Sequence, residues 1–500
     1  MKERLLFKNI ILLIGLTVIL KGFGFVNRIV IAYFFGTSSI SDIYYTASGF
    51  SDSISSIMLA SISVGVINIY LTNNKNDRRT FISRLLILIS ILMILGTFLV
   101  LLFSEGIAKV LAPGYSKEEL NQLSHMLKVM TFTLPFQGFI VVYSSLLQAE
   151  KKFTPVKLTG TITSITSIIS VIFLADTIGI SALVVSYVIG IVINAFFLFI
   201  CSKKFYKFKV QNRLFDTNIK KMFLLIIPLL IGTAGHEINL IIDRSIASGV
   251  SSGAISSLSY SCVLYLFIEN VVINSIVTAL FPNLTESFVC NNQSSIVESI
   301  QKVIYFAECI LIPIVICIMF YSTEITKVIY YRGNFDVSSV DMTSAALLGY
   351  VLGLPFLAIR DIFTRVYYAR GNTRTPVIIN LISIIINVFL DIVLSKYIGV
   401  LGIALSTSLS ILFSSVILFS LQLRLISNIK INKYVKKDFI VLALSIVPII
   451  IINYLTKYIN NMFLGIITSA ITSVVVLLIL LKCTDSVYLN GLISILKKRL

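Results

Sequence analysis

Long apolar runs recur along the whole chain with only short polar breaks, and that alternation leaves few folds open. Hydropathy marks fourteen candidate spans, near 10–35, 43–71, 81–103, 126–148, 157–176, 179–201, 222–243, 254–281, 303–321, 341–368, 377–395, 398–423, 439–456 and 462–481. With 57% hydrophobic and 13% charged residues and a mean hydropathy of +0.96, the chain is unlike a soluble domain. The expected fold is an all-α polytopic membrane protein of about fourteen transmembrane helices.

Lysine and arginine set the expected orientation. With the amino terminus inside, the inner segments hold 29 of the 41 Lys and Arg and the outer segments seven. Every loop then obeys the positive-inside rule, with both termini cytoplasmic. The basic start followed by an apolar run resembles a signal peptide. The run is too long and lacks a convincing small-residue cleavage site, so it reads as a retained span.

The sequence excludes several chemistries. The net charge of +18 is spread over loops rather than gathered in a long basic soluble segment, so nucleic acid is not the expected partner. Six cysteines are scattered without CxxC or metal-ligand spacing. There are two histidines, no HExxH, no GxSxG and no Walker A loop, so neither hydrolysis nor ATP use is expected and the protein is not expected to be an enzyme.

The chain also repeats itself at an offset close to 220 residues. Glu105–Leu111 echoes Glu324–Ile329, and Ala149–Pro155 echoes Ala369–Pro376. Ile178-Gly179-Ile180 echoes Ile398-Gly399-Val400, and Gly36–Ser41 echoes Gly249–Ser256. Six spans per repeat is an even number, so the two halves share orientation and form a parallel pseudo-repeat of two six-helix lobes, with two further C-terminal helices. The expected organisation is 1–201 as the N-terminal lobe, 202–221 as a basic cytoplasmic linker, 222–423 as the C-terminal lobe, and 424–500 as the last two spans and tail. The basic loops at 203–221 and 424–437 suit topogenic and lipid-headgroup roles.

Charges inside apolar runs are the candidate functional residues. Lys21 and Arg28 lie seven residues apart in the first span, nearly on one helix face. At the helical rise, Lys21 sits roughly 16 Å into the run, near mid-bilayer. A cation at that depth is costly unless it faces water or a partner. One reading is a polar cavity for an anionic substrate; the other is a buried ion pair, or snorkelling for Arg28. His236 and Glu237 in span seven, Glu269 in span eight and Arg360 in span ten would complete a substrate cradle with a protonatable gate, or form interlobe ion pairs that fix packing. Asp42, after span one, either gates the outer side or caps the next helix, and Asp52 is placed to pair with Arg28. Asn387 and Asp391, spaced i, i+4 in span eleven, join Thr407 in span twelve and Asp243 at the end of span seven as oxygen donors. Such donors suit a hard cation such as sodium; spacing alone is equally met by a polar contact between helices.

Longer motifs carry a family resemblance. Arg332-Gly333-Asn334-Phe335-Asp336 is followed by Thr343, Ala346-Leu347, Tyr350, Gly353-Leu354, Arg365–Ala369 and Thr373–Pro376. With Phe281-Pro282 and Asp243–Ser248, these resemble the MurJ/MviN branch of the MOP exporter superfamily, the lipid II flippases of bacterial cell-wall synthesis, over essentially the whole chain. The resemblance implies a central cationic cavity for a diphosphate-sugar headgroup, a groove for the polyprenyl tail on the last two spans, alternating access, and residence in the bacterial cytoplasmic membrane. It implies a lipid-linked saccharide and membrane lipids as partners, with the cell-wall synthesis machinery beside them. Lys21 falls where the family has a cavity arginine, Asp42 matches the family's aspartate, and Asp243, Asn387, Asp391 and Thr407 match a sodium site. No other cofactor is implied. The chain departs from the pattern at Asn27, at Ser55 or Ser56, and at Val263, where the family has arginines; Arg28 is one place late, a rotation of about 100°. The implied cargo is lipid II. The alternatives are another lipid-linked oligosaccharide, for capsule, teichuronic acid or O-antigen, and cation-coupled export of small amphiphiles.

Overall fold

The computed structural model describes residues 20–72, 74–206, 208, 214–274, 277, 293–425 and 468. Among the described residues all regular structure is helical and no strand occurs. The helices are α1 (residues 20–35), α2 (Ser39–Thr72), α3 (Lys75–Leu111), α4 (Lys117–Thr131), α5 (Leu134–Ala149), α6 (Phe153–Ile178), α7 (Ser181–Ser202) and α8 (Thr217–Ala247). They continue with α9 (Ala254–Ile268, running into a π-helical turn Glu269–Ile273), α10 (Gln293–Tyr330), α11 (Val337–Val351), α12 (Leu354–Ala369) and α13 (Arg374–Leu425). Each of the first twelve expected spans has a helix, a helix pair or one arm of a helix. Eight helical stretches are long and apolar enough to cross a membrane, and two bent pairs raise this to ten among the described residues. Spans thirteen and fourteen, and the tail groove expected there, lie outside the described residues.

By compactness the described residues fall into two units. One runs to Ser256 and includes Arg332–Asp336; the other comprises Ser257–Tyr331 and the residues from Val337. In the first, α2 is the central helix, touching α4, α5 and α8, while α6 packs along α7. In the second, α13 packs on α11 and α12, and α10 packs on α11.

In lipid, apolar side chains gain little by facing each other, so small and polar residues must hold the helices. Ser63 on α2 meets Ser145 on α5 at 2.9 Å, Ser61 on α2 meets Thr233 on α8 at 3.2 Å, and the Asn194 amide donates to the Thr159 carbonyl at 3.0 Å. Large apolar side chains such as Phe103, Phe173, Ile385 and Phe389 point outward, as a lipid-facing surface requires. At the basic end, Asp216 caps α8 by accepting from the Ile219 N–H at 2.8 Å and pairs with Arg84 of α3.

The sequence echoes reappear as backbone geometry. α3 is broken at Phe103 (φ −105°, ψ 15°) and α10 at Tyr321 (φ −121°, ψ 21°). α6 turns into α7 at Gly179 (φ 58°, ψ −138°), and α13 folds back at Gly399 (φ 58°, ψ −132°). The carboxyl ends of α5 and α12 are the same Schellman turn. The Lys151 N–H donates to Gln148 O (2.9 Å) and the Lys152 N–H to Leu147 O (2.7 Å); the Gly371 N–H donates to Tyr368 O (2.9 Å) and the Asn372 N–H to Tyr367 O (3.0 Å).

Candidate functional site

The end of α1 shows what the Arg332–Asp336 motif does. A helix leaves its last four carbonyls without intrahelical donors, and here each finds one. Ala32 O accepts from the Gly36 N–H (2.9 Å) and Tyr33 O from the Asn334 N–H (2.8 Å). Phe34 O accepts from the Asn334 amide (2.5 Å), and Phe35 O from the Ser38 and Ser41 hydroxyls (3.1 Å each). The approach is close enough that a Cβ at Gly36 would strike the Asn334 carbonyl, and one at Gly333 would strike Tyr33 O.

Asp42 is 1% exposed. Its carboxylate accepts from the Gly253 N–H (2.8 Å) and the Ser256 N–H (2.7 Å). It therefore caps the start of α9, more than 200 residues away, and not the helix that carries it. An anion at a helix amino terminus satisfies orphan N–H groups and complements the helix dipole.

A charged cluster gathers in the first unit. The Arg28 guanidinium lies over the Tyr45 ring, 4.8 Å from its centroid. Asp52 is exposed and accepts from the Tyr187 hydroxyl at 2.8 Å; the Gln137 amide donates to that hydroxyl at 3.1 Å. Asp52 lies within electrostatic reach of Arg244, Arg28 and Glu237. Arg28 and Glu237 are thus within electrostatic reach of Asp52, while Lys21 and His236 are exposed on their own helices.

Glu269 and Arg360 belong to the second unit. Arg360 is bound to its neighbour Asp361, with Nε and Nη2 each 3.1 Å from Oδ1. Glu269, Arg360 and Asp361 are all within electrostatic reach of Tyr265. Of the residues expected to group, Lys21, Arg28, His236 and Glu237 belong to the first unit and Glu269 to the second.

The oxygen donors divide the same way. In the second unit, the Asn387 amide donates to Ser406 Oγ at 3.3 Å, and the Ser406 hydroxyl donates to Asp391. Asn387 and Asp391 are buried, at 2% and 0% exposure, and Asn387 Oδ1 has no hydrogen-bond partner. Thr407 donates to the Ile403 carbonyl at 3.3 Å. A buried amide oxygen with no donor, beside a carboxylate and hydroxyls, fits a hard cation. In the first unit Asp243 accepts from Asn239 at 3.3 Å. Its helix bends by 53° between Thr217–Ile227 and Gly232–Ala247.

The profile of the family described as "Lipid II flippase MurJ" matches residues 31–475. The chain belongs to the MurJ family. A "Probable lipid II flippase MurJ" from Rickettsia prowazekii is 28% identical over 489 residues, covering 94% of this chain and 95% of the relative. The Vibrio cholerae protein of the same description is 24% identical, covering 83% and 82%. Among solved structures, a lipid II flippase MurJ in an inward closed conformation superposes with a TM-score of 0.83 at 25% identity, covering 96% of this chain and all of that one. An inward-facing multidrug transporter of the MATE family gives 0.69 at 13% identity, covering 82% and 94%; that likeness shows a shared fold.

Within the MurJ pattern, Arg244, Tyr187 and Gln137 are the site residues that sequence reasoning did not single out. Arg244 reads as an outer-loop cation because it ends an apolar run. In the structure its guanidinium lies over the backbone of Gly49, where a Cβ would collide with it. Tyr187 and Gln137 carry a weak signal, a hydroxyl and an amide inside runs that are otherwise apolar.

Proposed function

We propose that this protein is a flippase that carries lipid II, the polyprenyl-diphosphate-linked peptidoglycan precursor, from the inner to the outer leaflet by alternating access. The observation that carries this is the full-length match to relatives described as lipid II flippases, with 94% of this chain covered at 28% identity. The charged cluster around Arg28 and Asp52 supplies the polar, cation-bearing surface a diphosphate headgroup needs. The protein works in the bacterial cytoplasmic membrane with both termini cytoplasmic, beside the cell-wall synthesis machinery, and performs no covalent chemistry. Asn387, Asp391 and Thr407, with Ser406 between Asn387 and Asp391, hold a sodium ion that couples transport. Lys21, Arg28, Asp42, His236, Glu237, Glu269 and Arg360 serve headgroup passage by binding or by shaping its path.

The test is complementation of cells depleted of their own lipid II flippase. The wild-type chain is expected to restore growth, and Lys21→Ala to abolish rescue while still inserting. Normal growth with Lys21→Ala contradicts its place in the headgroup path. Failure of the inserted wild-type chain contradicts lipid II as the cargo and favours another lipid-linked saccharide, the reading that the departures at Asn27, at Ser55 or Ser56, and at Val263 would then support.

A further inference from the structure

We propose that Arg244 is a headgroup-binding residue: with Arg28 it forms a guanidinium pair for the cargo's diphosphate, and Asp52 is the resident counter-charge that the diphosphate displaces. The proposal rests on the flippase reading above and adds to it a residue and an exchange.

Three observations converge on Arg244. Its Nη1 is buried and has no hydrogen-bond partner. A guanidinium donor withheld from water is costly unless a ligand uses it. Its planar head is seated on the bare backbone of Gly49, a position that any Cβ would take away. Asp52, three residues along the same helix, is within electrostatic reach of both Arg244 and Arg28, yet its Oδ1 is held by Tyr187, which Gln137 holds in turn. The carboxylate is thus kept near the cations by a fixed tether. It offsets their charge and can be exchanged for a ligand oxygen without moving far. A planar fork suits the paired oxygens of a diphosphate, which Lys as a point charge matches less well.

The test uses the full chain in nanodiscs, with undecaprenyl diphosphate as the binding probe and lipid II translocation as a separate readout. Arg244→Gln is expected to weaken undecaprenyl diphosphate binding roughly tenfold or more, the loss of a charge-assisted contact, with an unchanged melting temperature. Arg244→Lys is expected to lie in between. Gly49→Ala keeps the charge, favours the helix and displaces the guanidinium, so it too should weaken binding without loss of stability. Asp52→Asn still accepts from Tyr187 but no longer competes, and should bind several-fold tighter. Wild-type affinity in Arg244→Gln overturns the assignment. So does the pattern of a structural ion pair, in which Arg244→Gln and Asp52→Asn both lower the melting temperature, the double variant restores it and affinity does not change. A wild-type chain that fails to bind the probe overturns it as well. If the wild type binds undecaprenyl diphosphate in the expected pattern but does not move lipid II, the lipid II reading falls and the Arg244 assignment stands.

Discussion

A carboxylate whose two oxygens are both taken by backbone N–H groups is a structural part before it is a binding group, and Asp42 is such a carboxylate. Asp42→Asn replaces one acceptor with a donor facing an N–H, and should cost about 1–3 kcal/mol, read as a lower melting temperature in detergent. An unchanged melting temperature contradicts the capping role. The sequence marked Asp42 as a gate or a local cap; it could not show a cap supplied to a helix 200 residues later, because that contact is set by packing. Asp391 was legible by its i, i+4 spacing from Asn387, but Ser406, which joins the two, was hidden among the many serines of the span. Sodium is expected to raise the melting temperature of the wild type relative to potassium, and Asp391→Asn to lose that shift. A shift that persists in Asp391→Asn contradicts the sodium assignment. Tyr187 and Arg244 escaped sequence reasoning for a related reason: one neutral hydroxyl and one cation at the end of a run carry no periodic signal.

At the scale of elements, the two halves build the same turns from different residues. The Schellman turn after α12 has Gly371 at its left-handed position (φ 75°), and the turn after α5 has Lys151 there (φ 58°). A side chain in that conformation costs on the order of 1–2 kcal/mol, partly offset by the greater chain entropy of glycine. Lys151→Gly should therefore be more stable by up to about 1 kcal/mol, and Gly371→Ala less stable by a similar amount. Thermal unfolding of the two variants checks the pair; equal effects of the same sign contradict it. The repeat was legible at this scale because turns depend on local residues such as Gly179 and Gly399. The breaks at Phe103 and Tyr321 fall at the ends of the third and ninth apolar runs, so the end of each run was legible and the helix that continues past it was not.

For the whole molecule, hydropathy carried the fold: among the described residues the chain is all-helical, with helices where the first twelve apolar runs are. Compactness groups α8 and Arg332–Asp336 with the first six spans, whereas the sequence repeat begins its second half at α8. Repeats record how a chain was built, and packing records which surfaces meet; Asn334 belongs to one half by sequence and seals the end of α1 in the other. Membership of the MurJ family is a whole-chain property, and the cargo follows from it rather than from any one charge. The most direct test is therefore made on the cargo itself. In cells depleted of their own flippase and expressing this chain, the fraction of lipid II accessible to a membrane-impermeant reagent at the outer surface is measured. That fraction should return to the level of undepleted cells; lipid II that stays inaccessible while the protein is inserted at normal abundance contradicts the account.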